Sequence, residues 1–203
     1  VRKLCMSDLM FGTLPNYGFI NSIVPQDIFQ SIKQETKVFP QEVANKDLAG
    51  NIEHEYKLID CKDKLEPFLV NLSKQYESTW ESATNSDSWR LGDTWVNYQK
   101  KYEFNPPHHH DGSFSFVIFV QVPFLLDKEL ENNSVKQSNT PRPGYFSFSY
   151  TNIFGEISNC DIAVDKKDEG RILFFPSKMV HQVFPFYTSD EYRITVSGNL
   201  HEV

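Results

Sequence analysis

The spacing of apolar side chains changes character once along the chain. Between residues 25 and 80 they recur at helical intervals. Ile28, Phe29 and Ile32 follow Pro25, which is tolerated in a first turn, and Pro40 lies just beyond, so a helix is predicted over 25–37. Leu65, Phe68, Leu69, Leu72 and Tyr76 form one stripe that predicts a second helix over 62–80, with Pro67 near its start. Such stripes are far more often core-facing scaffold than binding surface. His54 and Glu55 fall in the polar stretch between the two helices and read as solvated. Ahead of them, Phe11, Leu14, Phe19, Ile20, Ile23 and Val24 read as extended segments covering a core.

From Ser88 the pattern shortens to strands. Trp89–Leu91, Thr94–Gln99, Phe114–Val122, Tyr145–Thr151, Ile157–Val164, Arg171–Phe175, Gln182–Phe186 and Tyr192–Ser197 are rich in β-branched and aromatic residues and are separated by Pro, Gly, Asn or Asp. So many short strands predict a mainly β fold, a double-sheet jelly roll of cupin-like type, with the helices packed on one outer face. The polar segment from Leu125 to Pro143 reads as a long loop with a helical turn at Asp127–Glu131. A loop of that length on a β-scaffold suits a lid or a substrate-recognition role. No repeat or linker interrupts the chain, so one domain over 1–203 is expected, with 1–87 as support and 88–203 as the jelly-roll core.

Composition narrows the function classes. A formal net charge of -7 over 203 residues argues against nucleic acid or a membrane surface as partner. Cys5, Cys61 and Cys160 are widely spaced with no C-x-x-C pair, which predicts free thiols in a reducing compartment rather than a disulfide framework or a zinc-thiolate site. No apolar run approaches the ~18 residues of a membrane-spanning helix. A soluble, cytoplasmic protein is expected.

The candidate chemistry sits in Asn105-Pro106-Pro107-His108-His109-His110-Asp111-Gly112, directly before the apolar run from Phe114. Alternate residues of an extended chain face the same way, so the run offers two ligand frames. His109 with Asp111 would make the 2-His-1-carboxylate triad of non-haem iron sites once a distant histidine is added. His108 with His110 would give three imidazoles and one fewer negative charge. The distant histidine is His181, placed after the Phe175-Pro176-Ser177 turn at the start of a strand. Arg193 follows in the alternating segment Tyr192–Ser197, where a charge is costly unless it meets an anion. An arginine fork matches a carboxylate, and Thr195 on the same side could donate to that carboxylate as well.

In this order and spacing the residues resemble the iron(II)- and 2-oxoglutarate-dependent oxygenases, and most closely a prolyl-hydroxylase-like group common in marine bacteria and their phages. The resemblance covers about Trp95 to Asn199. It rests on Asn97-Tyr98-Gln99, the His108–Gly112 run, Ser115–Ile118, Phe175-Pro176-Ser177, His181 and Tyr192–Asn199. It implies a double-stranded β-helix that binds Fe(II) through His108, His110 and His181, because the group's pattern is His-x-His-x-Gly. That leaves Asp111 to orient an imidazole. It further implies that 2-oxoglutarate, as co-substrate, is held by Arg193, Thr195 and Tyr98. Phe104, Phe116, Phe119 and Phe184 are candidates for lining the pocket.

The implied reaction is hydroxylation of a C–H bond in a peptidyl (for example prolyl) or small-molecule substrate, with release of succinate and CO2. Halogenation is disfavoured because no ligand position is held by Gly or Ala. The setting would be the host cytoplasm if a phage encodes the chain. Two other readings stay open: a non-catalytic jelly-roll binding module, and a cupin-type metal enzyme that does not use 2-oxoglutarate.

Overall fold

The computed structural model describes residues 16–80 and 86–203; Cys5, Phe11 and Leu14, named above, lie outside the described residues. In chain order the elements are β1 (Ile20–Ile23), α1 (Gln26–Glu35), β2 (His54–Lys57), α2 (Lys62–Trp80), β3 (Trp89–Gln99), β4 (Asn105–His108), β5 (Phe114–Gln121), α3 (Leu126–Leu130), β6 (Phe146–Thr151), β7 (Ile157–Ile162), β8 (Arg171–Pro176), β9 (Val180–Val183) and β10 (Arg193–Glu202). The strands form a six-stranded sheet in the order β1-β8-β5-β10-β3-β2 and a four-stranded sheet in the order β4-β9-β6-β7. The pairings are antiparallel throughout. This is the mainly β jelly roll that the strand-like runs predict.

Three layers follow from which face each strand buries. On one face of the large sheet Val96, Tyr98, Ile118, Val120, Ile172, Phe174 and Val196 pack against the apolar stripes of α1 and α2. On the other face Val117, Phe119, Leu173 and Phe175 meet Phe146, Phe148 and Ile162 of the small sheet. Strand β5 is therefore covered on both sides. That is why its sequence is an almost unbroken apolar run instead of an alternating one.

The helices match their apolar spacing closely, and what anchors α2 is a carboxylate from α1. Glu35 accepts hydrogen bonds from the backbone N–H groups of Ile59, Asp60 and Cys61, each at 2.9 Å, in the turn that leads into α2. Burial, together with Glu35 beside it, pushes the Cys61 thiol well up, so this cysteine stays a protonated core side chain. Glu35→Ala is expected to lower stability by about 1–2 kcal/mol, the scale of a lost helix-entry cap. Glu35→Gln should recover part of it in thermal denaturation.

Three expectations are corrected. Trp89–Leu91 and Thr94–Gln99 join into the single long strand β3, because Gly92 lets the backbone pass close to the His201 ring. Strand β9 runs over Val180–Val183, ending before the expected Phe186, because residues 184–186 turn away and bury Phe186 in the inter-sheet core. The polar stretch at His54 does not leave both residues solvated: His54 is half-buried and Glu55 is buried. It is the edge strand β2, with Glu55 paired opposite Asn97 of β3 and only 1% exposed. A single carboxylate facing inward gave no periodic signal by which the strand could be read.

Candidate metal centre

Strand β4 is an edge strand, which accommodates Pro106 and Pro107 without the loss of ladder donors. Its last residue, His108, stands opposite His181 of β9. Two residues on, the backbone N–H of His110 donates to Ser177 O at 2.9 Å, and Gly112 turns the chain into β5 with φ of 92°. A side chain there would also collide with Leu200 O, so the position requires glycine. His108, His110 and His181 are brought together, with ligand atoms all within 4.8 Å of one another. The intervening His109 is exposed, and Asp111 points to solvent, where it accepts from Lys178 Nζ at 2.9 Å. Asp111 thus orients no imidazole. The alternation along an extended chain brings the His108/His110 frame to the cluster and turns the other frame away.

The hydrogen bonds on the rings fix which nitrogen is free. His108 Nδ1 bonds Pro106 O at 2.7 Å and His181 Nδ1 bonds Met179 O at 2.9 Å. A carbonyl oxygen can only accept, so both Nδ1 atoms carry the proton and both Nε2 atoms keep a lone pair. His181 is 4% exposed and stacks on Phe146 at 5.4 Å between ring centroids. Burial pushes all three imidazoles below their ordinary value, His110 to about 4 and His181 well down, with the neighbouring histidines adding to the effect. All three are therefore neutral near pH 7, the form that ligates a divalent ion.

The histidines open into a cavity between the sheets with about 570 Å³ of atom-free space, its mouth included. Trp95, Asn97 and Gln99 of β3 and Thr195 of β10 line it, as do Glu55 and Asn105. Arg193 is 1% exposed and lies behind this wall rather than on it. Its Nε and Nη2 donate to Gln99 Oε1 at 3.0 and 2.6 Å, Nη1 donates to Gly144 O at 2.6 Å, and Nη2 also donates to Phe184 O at 3.0 Å. None of these acceptors is a carboxylate. Burial lowers the guanidinium to about 9, a shift that the nearby Glu129 opposes. Glu129 lies on the helical turn expected at 127–131. It is fully buried and accepts from the backbone N–H groups of Tyr187 and Thr188 and from the Thr188 hydroxyl.

Of the residues singled out in the sequence, Thr195 lines the cavity and Arg193 backs it. Tyr98 does neither. Strand alternation turns it to the helix side of β3, where its hydroxyl donates to Thr36 O at 3.0 Å and Val38 O at 3.2 Å and its ring packs on Phe39. The β3 side chain that faces Arg193 is Gln99, directly opposite it in the sheet register. Phe116 and Phe119 contribute to the lining, whereas Phe104 is 40% exposed and Phe184 packs under Arg142. Sequence reasoning passed over Glu55, Asn97, Gln99 and Asn105. For Asn97 and Gln99 the signal was available, since both share the parity of Trp95.

A jelly roll that gathers three neutral imidazoles at the mouth of an inter-sheet cavity defines a metal-dependent protein of the double-stranded β-helix class. Residues 93–199, just over half of the chain, match the family described as "Putative 2OG-Fe(II) oxygenase". The chain belongs to this family of Fe(II)- and 2-oxoglutarate-dependent oxygenases. No protein of curated function matches the sequence.

Among solved structures, a Pseudomonas putida prolyl-4-hydroxylase aligns with a TM-score of 0.56 at 11% identity, over 92% of this chain and 94% of that one. A viral collagen prolyl hydroxylase from Paramecium bursaria Chlorella virus-1 aligns with a TM-score of 0.51 at 9% identity, over 91% and 96%. The epimerase SnoN from nogalamycin biosynthesis aligns with a TM-score of 0.52 at 13% identity, over 92% and 79%. At these identities the likeness is one of fold. Among the described residues no helix is long and apolar enough to cross a membrane.

Proposed function

We propose that the chain is a dioxygenase that hydroxylates a C–H bond of a peptidyl or small-molecule substrate, with His108, His110 and His181 as the Fe(II) ligands and the Thr195–Arg193 end of the cavity as the seat of the 2-oxoglutarate side-chain carboxylate. The observation that carries this reading is the convergence of the three imidazole donors on one point at the mouth of that cavity. When bound, iron and 2-oxoglutarate supply the oxidative decarboxylation that yields succinate and CO2, placing one oxygen atom of O2 in succinate and the other in the product.

The chain's own residues do the positioning. The carbonyls of Pro106 and Met179 hold the His108 and His181 rings by their Nδ1 protons, which leaves both Nε2 lone pairs free for the metal. An all-histidine set leaves the metal's charge uncompensated by protein carboxylate, which favours an anionic chelator on the open positions. Thr195 and Gln99 would meet the far carboxylate, with Arg193 supplying positive charge from behind them.

The sheets and helices serve one active unit in this proposal, and a reducing, cytoplasmic setting suits both Fe(II) and the free thiols of Cys61 and Cys160. A prolyl side chain is the first substrate to assay, since two of the fold relatives are named for prolyl hydroxylation.

The test is anaerobic calorimetric titration of the Mn(II)-loaded protein with 2-oxoglutarate. Saturable one-to-one binding that depends on the metal is expected. Metal binding without 2-oxoglutarate binding would sink the reading in favour of a metal enzyme of another kind.

A further inference from the structure

Glu55 is a buried acid with no ion-pair partner among the described residues. It is 1% exposed, it faces the cavity from the edge strand β2, and it stands directly opposite Asn97. Among the described residues the hydrogen bond on its carboxylate comes from Asn45 Nδ2 to Oε2 at 3.4 Å, which is long. Burial, together with the charge of another acid, Glu103, raises Glu55 to about 7. Arg193, the buried cation of the same region, spends its donors on Gln99, Gly144 O and Phe184 O.

The oxygens around Glu55 repeat the same imbalance. Asn97 Oδ1 and Asn105 Oδ1 are buried without a hydrogen-bond partner among the described residues, and Asn97 is only 5% exposed. Both asparagines line the same cavity as Glu55 and the three histidines. Gly50 closes over the place where Glu55 Oε1 and Asn105 Oδ1 converge, and a Cβ there would collide with both oxygens. Buried acceptors that meet only one long hydrogen bond, on Glu55 Oε2, and none on the two asparagine oxygens are unfavourable in the empty protein and become favourable when a donor-rich group enters. A carboxylate at its centre selects, among donors, one that carries positive charge.

We propose that the primary substrate carries an ammonium group, as in a free amino acid, an amine or an amino-bearing side chain, which seats on Glu55 between Asn97 and Asn105 while a neighbouring C–H is presented to the metal end of the cavity. This rests on the oxygenase reading for the metal end and adds the substrate class. Glu55 is then the residue that determines specificity, with the two asparagine oxygens taking the remaining N–H donors. Protonation of Glu55 competes with the ammonium, so affinity rises with pH through 7.

The test uses the full chain loaded with Mn(II) and 2-oxoglutarate under anaerobic conditions. It is titrated calorimetrically at pH 6 and pH 8 with putrescine, L-lysine and L-proline, and with their fully N-acetylated counterparts, in which both nitrogens of putrescine and of lysine are acylated so that no ammonium remains. At least one amine should bind at pH 8 about three- to tenfold more tightly than at pH 6, tenfold being the ceiling for one acid that titrates near 7, and at least tenfold more tightly than its fully acetylated form. Glu55→Gln, which keeps the side chain's shape, should weaken that amine at least tenfold more than it weakens 2-oxoglutarate.

Binding of none of the amines, equal binding of the acetylated compounds, or an undiminished amine affinity in Glu55→Gln each overturns the proposal. If the wild-type protein binds no 2-oxoglutarate, the oxygenase reading fails separately. The same amine titrations on the Mn(II) protein then decide the role of Glu55 by the same outcomes.

Discussion

His181→Ala should abolish succinate release and weaken Fe(II) or Mn(II) binding by more than about a hundredfold, beyond what the loss of even an orienting partner of a ligand costs. In the proposed metal site His181 is the ligand that joins its two parts. His108 and His110 come from one short run, whereas His181 arrives on β9, which lies between β4 and β6, and the three rings meet at centroid distances between 4.3 and 5.1 Å. Two imidazoles on one strand end bind a divalent ion weakly; the third closes the facial set.

Loss of the ring also removes the stacking with Phe146 and the edge-on contact with Phe175, so circular dichroism must accompany the assay to show that the fold persists. His109→Ala and Asp111→Ala provide the internal comparison, since one is exposed and the other is bonded to Lys178 at the surface. Both should retain activity within about threefold, the range of a surface change of under 1 kcal/mol. An inactive Asp111→Ala beside an active His108→Ala would reverse the ligand frame.

What could be read from the chain was what repeats or concentrates. The α1 and α2 stripes and the apolar strands report burial of one face or both, and periodicity registers that directly. The histidine run is legible for a different reason. Four potential ligands in succession are improbable as solvated filler, and strand alternation then reduces them to two frames. The geometry decides between the frames through a local feature, the register of His108 opposite His181, which no composition reveals.

Tyr98 was misplaced because a motif resemblance carries residue type but not parity. Once β3 is aligned so that Trp95 faces the histidines, Asn97 and Gln99 must face the cavity and Tyr98 must face the helices. Glu55 was invisible for a converse reason. Sequence rules treat an acid in a polar stretch as solvated, and only the tertiary closure by Gly50 and Asn105 shows that it is enclosed.

Arg193→Lys should raise the Kd for 2-oxoglutarate by about a hundredfold, equivalent to roughly 2.7 kcal/mol, while metal affinity measured without 2-oxoglutarate changes by less than about threefold. The guanidinium spans three separate acceptors, Gln99 Oε1, Gly144 O and Phe184 O, which stand on β3, on the turn before β6 and on the segment after β9. Lysine offers a single ammonium and cannot reach all three, so at least one buried acceptor would lose its donor. A buried ammonium also gives up its proton far more readily than a guanidinium, which itself is already lowered to about 9 here.

The variant therefore removes both the fork that holds Gln99 in place and part of the positive charge behind the Thr195 end of the cavity. It also weakens the field around the buried Glu129, whose carboxylate organises the backbone at Tyr187 and Thr188. A stability loss of about 3 kcal/mol in urea denaturation is expected, on the scale of breaking one side of a buried charged network. The two effects separate experimentally, because 2-oxoglutarate affinity is measured on the folded fraction below the melting temperature. If Arg193→Lys is destabilised yet binds 2-oxoglutarate as tightly as the wild type, Arg193 is a structural fork that ties three segments together. The co-substrate carboxylate then takes its charge complement from elsewhere.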